Sequence, residues 1–456
     1  MSDLLDQSII EERAHHLVKA AMKAGADSAD AVAARAISSS VGLRDGSLEE
    51  NEHSENDSMA LRVFIDGCKA SISTNTTDDL DILTKLAERA VAMAHLSPPD
   101  PFARLAARSD LMEPSLVAER VKACDPADLN IPTSEDLTRM VEEAEEAAMA
   151  VEGVTKSGGA GAGHFLGGAV LATSHGFVGS YLSSRISFSV TAIAGTGMTM
   201  ERDYSFSAAV HRDDLRSPGL VGRRAGERAV SRLNPAKIET GTYDILFEPR
   251  VATTLVGHFA SAINGAAIAR HTSFLNDKLG RQVFPSGICI NDDPMLPRGL
   301  GSRPFDGEGV DCQPLALVEN GYLNQWVLDS ATAAELGMKT NGRATRSGAN
   351  PYPSTTNLRL EKGTHTQQEL IAGIKDGIYI TDLIGQGVNG VTGDYSRGAS
   401  GVRIKDGKLA EAISEITIAG NLVDMFARMI PADDLSFEHA VNSPSILVEG
   451  MTVAGR

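Results

Sequence analysis

The same order of elements occurs twice in the first half of this chain, and that repetition restricts the fold more than any other feature. Ile10, Ala14, Leu17, Val18 and Ala21 recur at helical spacing within residues 7–24, and Gly25 stands where a helix would end. Alternating apolar and polar runs follow. One of them, "MALRVFIDGCKASIS", turns at Asp66-Gly67, a pair that tolerates the positive φ of a tight hairpin. A helix over residues 79–95 closes the unit, and "SPPDP" from Ser97 breaks the chain. After a proline-punctuated linker the order returns. A helix over residues 134–151 is capped by Thr133 or Ser134. The strand-like runs "GGAVLATSHGFVGSYLSSRISFSVTAIAG" and "YSFSAAVHR" come next, then a helix over residues 218–233 before Asn234-Pro235. The expectation is an α+β fold whose N-terminal region, residues 1–233, holds two related helix–strands–helix parts at about 1–98 and 130–233.

From Thr240 onward strands with tight turns dominate, at Asn320-Gly321 in "PLALVENGYLNQWVLDS" and at Asp406-Gly407 in "GVRIKDGKLAEAISEITIAG". The pattern predicts a C-terminal domain over residues 234–456: a largely antiparallel, curved, barrel-like sheet with one main packed helix. With 456 residues the chain exceeds one compact core, consistent with that division.

The 42 basic against 60 acidic side chains give a net charge of −18, and no local basic patch offsets it. Such a surface repels phosphate backbones and anionic membranes, so neither nucleic acid nor membrane is an expected partner. No apolar run approaches the roughly 20 residues of a membrane-spanning helix. The opening "MSDLLDQSIIEERAHH" is acidic and helical in pattern, unlike a signal peptide. Cys68, Cys124, Cys289 and Cys312 lie far apart without a CxxC pair, which fits a reduced, cytoplasmic protein.

Three motifs invite chemistry. "GQGVNG" (Gly385, Gln386, Gly387, Gly390) matches GxGxxG after a strand, but no helical period follows to hold a pyrophosphate. Its glycines suit close backbone approach, in a bulged strand or a peptide-binding edge. "GDYSRGASG" places Ser396 and Ser400 outside the spacing of a GxSxG nucleophile elbow. "EPRVATTLVGHFASAINGAAIARH" reads as one helix over residues 248–271 with His258 near its middle. A zinc peptidase needs further ligands and a carboxylate to take a proton from metal-bound water. Phe259 and Ala262 occupy the places of Glu and the second His in HExxH, so His258 beside the apolar stripe Val251, Leu255, Phe259, Ala262 and Ala266 reads as structural.

"FEPRVATTLVGHFASAINGAAIARHTSFLNDKLGRQV", "GLGSRPFDGEGV", "LIGQGVNGVTGDYSRGASG" and "SEITIAGNL" together resemble the TldD/PmbA family, specifically its PmbA (TldE) branch, and the likeness extends over nearly the whole chain. The resemblance implies a two-part cytoplasmic zinc peptidase that cleaves small or unstructured peptides, including modified peptide precursors. TldD-type chains carry HExxxH and a late cysteine ligand, and PmbA-type chains lack this set and pair with them. Matching "FE" at Phe247 brings His258 onto the first motif histidine, Phe259 onto Glu and Ile263 onto the second histidine, and no cysteine follows Cys312. This implies no catalytic residue and no metal in this chain, with zinc in a TldD-type partner. The glycine-rich stretch, with Asp394, Tyr395, Ser396 and Arg397, would then contact peptide substrate as an added strand, or form an ordinary packed hairpin. Two other readings stay open: a homo-oligomer, such as a homodimer of the chain alone, that binds peptides without a hydrolytic partner, and an autonomous peptidase using an unrecognised ligand set, for example His258 with His271.

Overall fold

The computed structural model describes residues 6–455; Met1–Leu5, which open the acidic N-terminal stretch, and Arg456 lie outside the described residues. The first unit runs helix α1 (Ser8–Lys23), strands β1 (Ser28–Arg44), β2 (Ser47–Ile65) and β3 (Cys68–Thr74), then helix α2 (Leu80–Leu96). The second runs α3 (Ser134–Met149), β4 (Val154–Thr173), β5 (Val178–Ala194), β6 (Glu201–Ala209) and α4 (Pro218–Ser231). Side chains start two of these helices, α2 and α3. Asp79 accepts from the Asp81 and Ile82 amides, and Thr133, not Ser134, caps α3 in a reciprocal box with Asp136.

The two units are fused. Their strands form one antiparallel six-stranded sheet in the order β3-β2-β1-β4-β5-β6, with β1 against β4 at the centre. Ala29, Ala31 and Ala33 face α1 and α2, while Ala160, Ala162 and Phe188 face α3 and α4. All four helices therefore cover one face of the sheet. α3 and α4 cross closely because Gly222 has no side chain: a β-carbon there would stand 2.1 Å from the Ala144 carbonyl oxygen.

The opposite face meets the C-terminal half. Asp30 and Arg62, cross-strand neighbours on β1 and β2, form a buried pair at 2.7 Å, and Arg346 joins the same carboxylate from a short strand of the C-terminal half, Ala344–Arg346. Arg62 also lies 3.6 Å from Glu308. Breaking such a buried set would strand a charge, so it holds the two halves in one register.

The C-terminal half is built on β7 (Gly241–Phe247), α5 (Pro249–Ala262), β8 (Asp376–Ile384), β9 (Asp394–Lys405), β10 (Lys408–Asn421), β11 (Met429–Pro431) and β12 (Ile446–Ala454). β10-β9-β8-β7-β12 are neighbours, and β12 returns to pair with β10 through Thr417, Ile418 and Ala419, closing a five-stranded barrel. Only β7 and β8 run parallel within it. A second sheet of five short strands stands beside the barrel. Helix α5 packs Val251, Leu255 and Phe259 into one core with Ile245, Phe247, Ile380 and Ile418.

One expectation fails here. Residues 248–271 are not a single helix: α5 stops at Ala262, and a five-residue turn of helix restarts at Gly265 under an Asn264 cap. The break is tertiary in origin. The Gly265 amide donates to the Val327 carbonyl at 2.8 Å, and this pairing diverts the chain. All four cysteines are free, and among the described residues no helix is long and apolar enough to cross a membrane.

Candidate functional site

Helix α5 positions His258 on the flank of its buried stripe. The ring is half-buried, lies 6.2 Å from the Tyr395 ring at a steep angle, and among the described residues leaves Nε2 without a hydrogen-bond partner. Burial, and then the nearby Arg397 guanidinium, lower its pKa, so the imidazole is neutral at pH 7. The two neighbouring motif positions are sealed. Phe259 is fully buried edge-on to Phe284 and Phe426, with ring centroids 5.3 and 6.1 Å away. Ile263, also fully buried, is the C-cap of the helix. His271 lies beyond the break, where its Nδ1 accepts from the Asn276 amide at 2.8 Å.

This neighbourhood does not fit zinc. It offers one imidazole, a buried phenol whose pKa burial pushes up, and a guanidinium whose charge opposes a cation. Among the described residues, no three His, Cys, Asp or Glu side chains are grouped to hold a metal ion.

The glycine-rich stretch is a hairpin tip between β8 and β9. Gly385, Gln386, Gly387, Gly390, Asp394 and Ser396 are exposed and Arg397 is half-buried. Tyr395 is 1 % exposed and turns inward onto His258, so the contact with substrate expected of it has no surface to work through. Strand β9 offers no free edge either. Asp394–Lys405 pair with β10 on one side; on the other, Gly398–Lys405 pair with β8 and Tyr395 bridges Val388. The tip itself is tied down: the Ser396 amide donates to Gly387 at 2.7 Å, and the Phe274 amide to Gly390 at 3.0 Å. Gly387 is there for close approach, since a β-carbon would stand 1.7 Å from the Ser396 carbonyl oxygen, whereas Gly390 has room. The chain passes from Gly390 into β9 and not into a helix, which leaves no dinucleotide cradle.

A second place was not anticipated from sequence. At the first turn of α5 a cleft of about 500 Å³ opens between α4, β6 and the 436–443 segment. Arg216 pairs there with Glu438, Arg228 with Glu248 at 2.7 Å, and Arg250 with Asp203 at 2.8 Å. Arg224 lines the same cleft, half-buried and with no described ion-pair partner. The available signal was Arg224 and Arg228 one helical turn apart, opposite the small residues Gly222, Ala225 and Gly226 that pack on α3.

Family models match over most of the sequence: PmbA/TldA metallopeptidase domain 1 over residues 29–94, the central domain over 127–233 and the C-terminal domain over 240–455. The chain is 36% identical to the Metalloprotease PmbA homolog of Haemophilus influenzae, across 96% of its own length and 94% of that protein. It is 32% identical to Metalloprotease PmbA of Escherichia coli O157:H7, across 94% and 93%. The crystal structure of a candidate DNA gyrase modulator from Bacteroides thetaiotaomicron matches with a TM-score of 0.87 at 26% identity, covering 98% of both chains. TldE from Thermococcus kodakarensis matches in fold, with a TM-score of 0.83 at 19% identity over 97% of this chain and 100% of that one.

Proposed function

This chain belongs to the PmbA/TldD metallopeptidase family, and we propose that within it the chain is a non-catalytic PmbA/TldE-type subunit. It would work in the cytoplasm beside a zinc-bearing TldD-type subunit, in a complex that cleaves small or unstructured peptides. One observation carries the reading. The positions that would supply a general base and a second ligand next to His258 are Phe259 and Ile263, and both are fully buried apolar side chains. Neither can bind a metal or move a proton. We read residues 1–233 and 234–456 as its two domains.

The exposed hairpin tip, residues 385–393 with Asp394, Ser396 and Arg397, is the surface we assign to the substrate or to the partner's cleft. With β9 paired on both sides, it would act through its side chains and shape and not by accepting a strand. Co-purification with a TldD-type chain, followed by zinc analysis and cleavage of an unstructured peptide, tests the proposal. The complex should cleave and hold zinc, while this chain alone should do neither. About one zinc per isolated chain, lost on His258→Ala, would refute it.

A further inference from the structure

We infer that the cleft at the first turn of α5 binds a carboxylate, held by Arg224 and His439. The charges lining it are almost all spoken for. Glu438 neutralises Arg216, Glu248 neutralises Arg228, and Asp203 with Glu248 neutralises Arg250. Arg224 remains, with no hydrogen bond or ion pair to any described residue, although it is half-buried in the cleft wall. A guanidinium taken partly out of water without a counter-charge is a receptor for an anion, and its planar fork suits a carboxylate.

His439 supplies the second observation. Its ring packs on Phe206 at 5.1 Å, its backbone amide donates to Asn442, and neither ring nitrogen has a described partner. The residue lines the cleft and is half-buried. The start of α5 adds to the field. Glu248 is turned toward Arg228 and caps no amide, which leaves the positive end of a 14-residue helix uncapped beside the cleft. Only Glu227, exposed at the rim, opposes an anion there without a partner of its own. Phe206 and Pro249 give an apolar wall beside the charges, and the volume suits two or three residues of a peptide.

A carboxylate could come from a peptide's C-terminus or from an acidic side chain. That it belongs to a peptide rests on the function proposed above; that the cleft takes a carboxylate does not. Calorimetric titration of the full chain separates these. The probes are Ala-Ala-Phe as the free acid, the same peptide as its amide, acetyl-Ala-Glu-Phe-amide, and inorganic phosphate. We expect the free acid to bind at least about tenfold more tightly than its amide, and Arg224→Gln to weaken it by about tenfold. Arg223→Gln, exposed on the same helix and outside the cleft, should change nothing. Binding by the glutamate peptide, also lost in Arg224→Gln, assigns the carboxylate to a side chain and supports the site. Equal binding of acid and amide with no tighter binding of the glutamate peptide overturns it, as does phosphate displacing the peptide at equal concentration or an Arg224→Gln variant that folds and binds normally. Neither partner nor zinc enters these titrations, so their failure is distinct from failure of the peptidase-subunit reading.

Discussion

The two ends of α5 have opposite characters. Its last turns carry Phe259 and Ile263 into a core of aromatic rings, with His258 left neutral on the flank. Its first turn opens onto a cleft lined by Arg224, Arg228 and Arg250. Apolar burial of this kind excludes water and charge together, and neither Phe259 nor Ile263 carries a group that could activate a nucleophile. The open end keeps paired charges at the junction of the two halves, where Arg250 of α5 reaches Asp203 of β6 and Arg216 reaches Glu438. One helix thus has a packing end and a recognition end, and substitutions should fail in different ways along it.

The largest effect should come at the sealed end. Phe259→Glu places a carboxylate among Phe284 and Phe426 with no described partner. We expect a loss of at least ~3 kcal/mol in stability, read by denaturant unfolding. Phe259→Glu with Ile263→His should still give no chelator-sensitive cleavage, because among the described residues no further His, Cys, Asp or Glu is grouped there to complete and orient a ligand set. Robust cleavage by the double variant would show that the two ends differ less than the packing implies.

Gly387→Val should follow. Its β-carbon would collide with the Ser396 carbonyl, so we expect the fold to lose ~2 kcal/mol or more, with activity of the complex falling in step. Gly390→Ala meets only the Thr272 carbonyl, at 3.7 Å, and should leave unfolding unchanged. If Gly390→Ala slows cleavage by the complex without loss of stability, the tip contacts substrate or partner and is more than a packed turn.

Arg250→Gln should cost about 2 kcal/mol, because it removes a buried partner of Asp203 while leaving Arg232 3.3 Å from that carboxylate. Arg224→Gln, in the same cleft, should leave stability within ~0.5 kcal/mol, having no pair to lose. A comparable loss in both would mean that the cleft is scaffold throughout.

What the sequence revealed, and what it hid, follows the range of the interactions concerned. Asp66-Gly67, Asn320-Gly321 and Asp406-Gly407 all adopt positive φ and turn hairpins as their local chemistry requires. Phe259 and Ile263 could be judged by side-chain type alone. The break at Asn264 could not, because it depends on Val327, more than sixty residues away. The closed edge of β10 depends on β12 completing the barrel, which no local pattern encodes. The cleft gathers Phe206, Arg224, Arg250 and His439 from four separate segments, and only tertiary packing brings them together.

The smallest effect should be at His258 itself. Its Nε2 has no partner, so His258→Gln breaks no hydrogen bond made by that atom, and at pH 7.5 stability should change by under ~1 kcal/mol. Its pH dependence is more telling. Burial holds the folded-state pKa below the 6.5 of an unperturbed histidine, so below that pH the unfolded chain binds a proton that the native state resists. The stability associated with the neutral ring is present above 6.5 and is lost as pH falls through the lower folded value. His439 is depressed for the same first reason and contributes to the same acid-side decline. His258→Gln should therefore flatten part of the fall in melting temperature below pH 6.5, and His258→Gln with His439→Gln should flatten more of it. A functioning metal ligand would behave otherwise: the wild-type chain would gain melting temperature with added zinc, and His258→Gln would abolish that gain. Such a zinc response would remove the distinction between the two ends of α5.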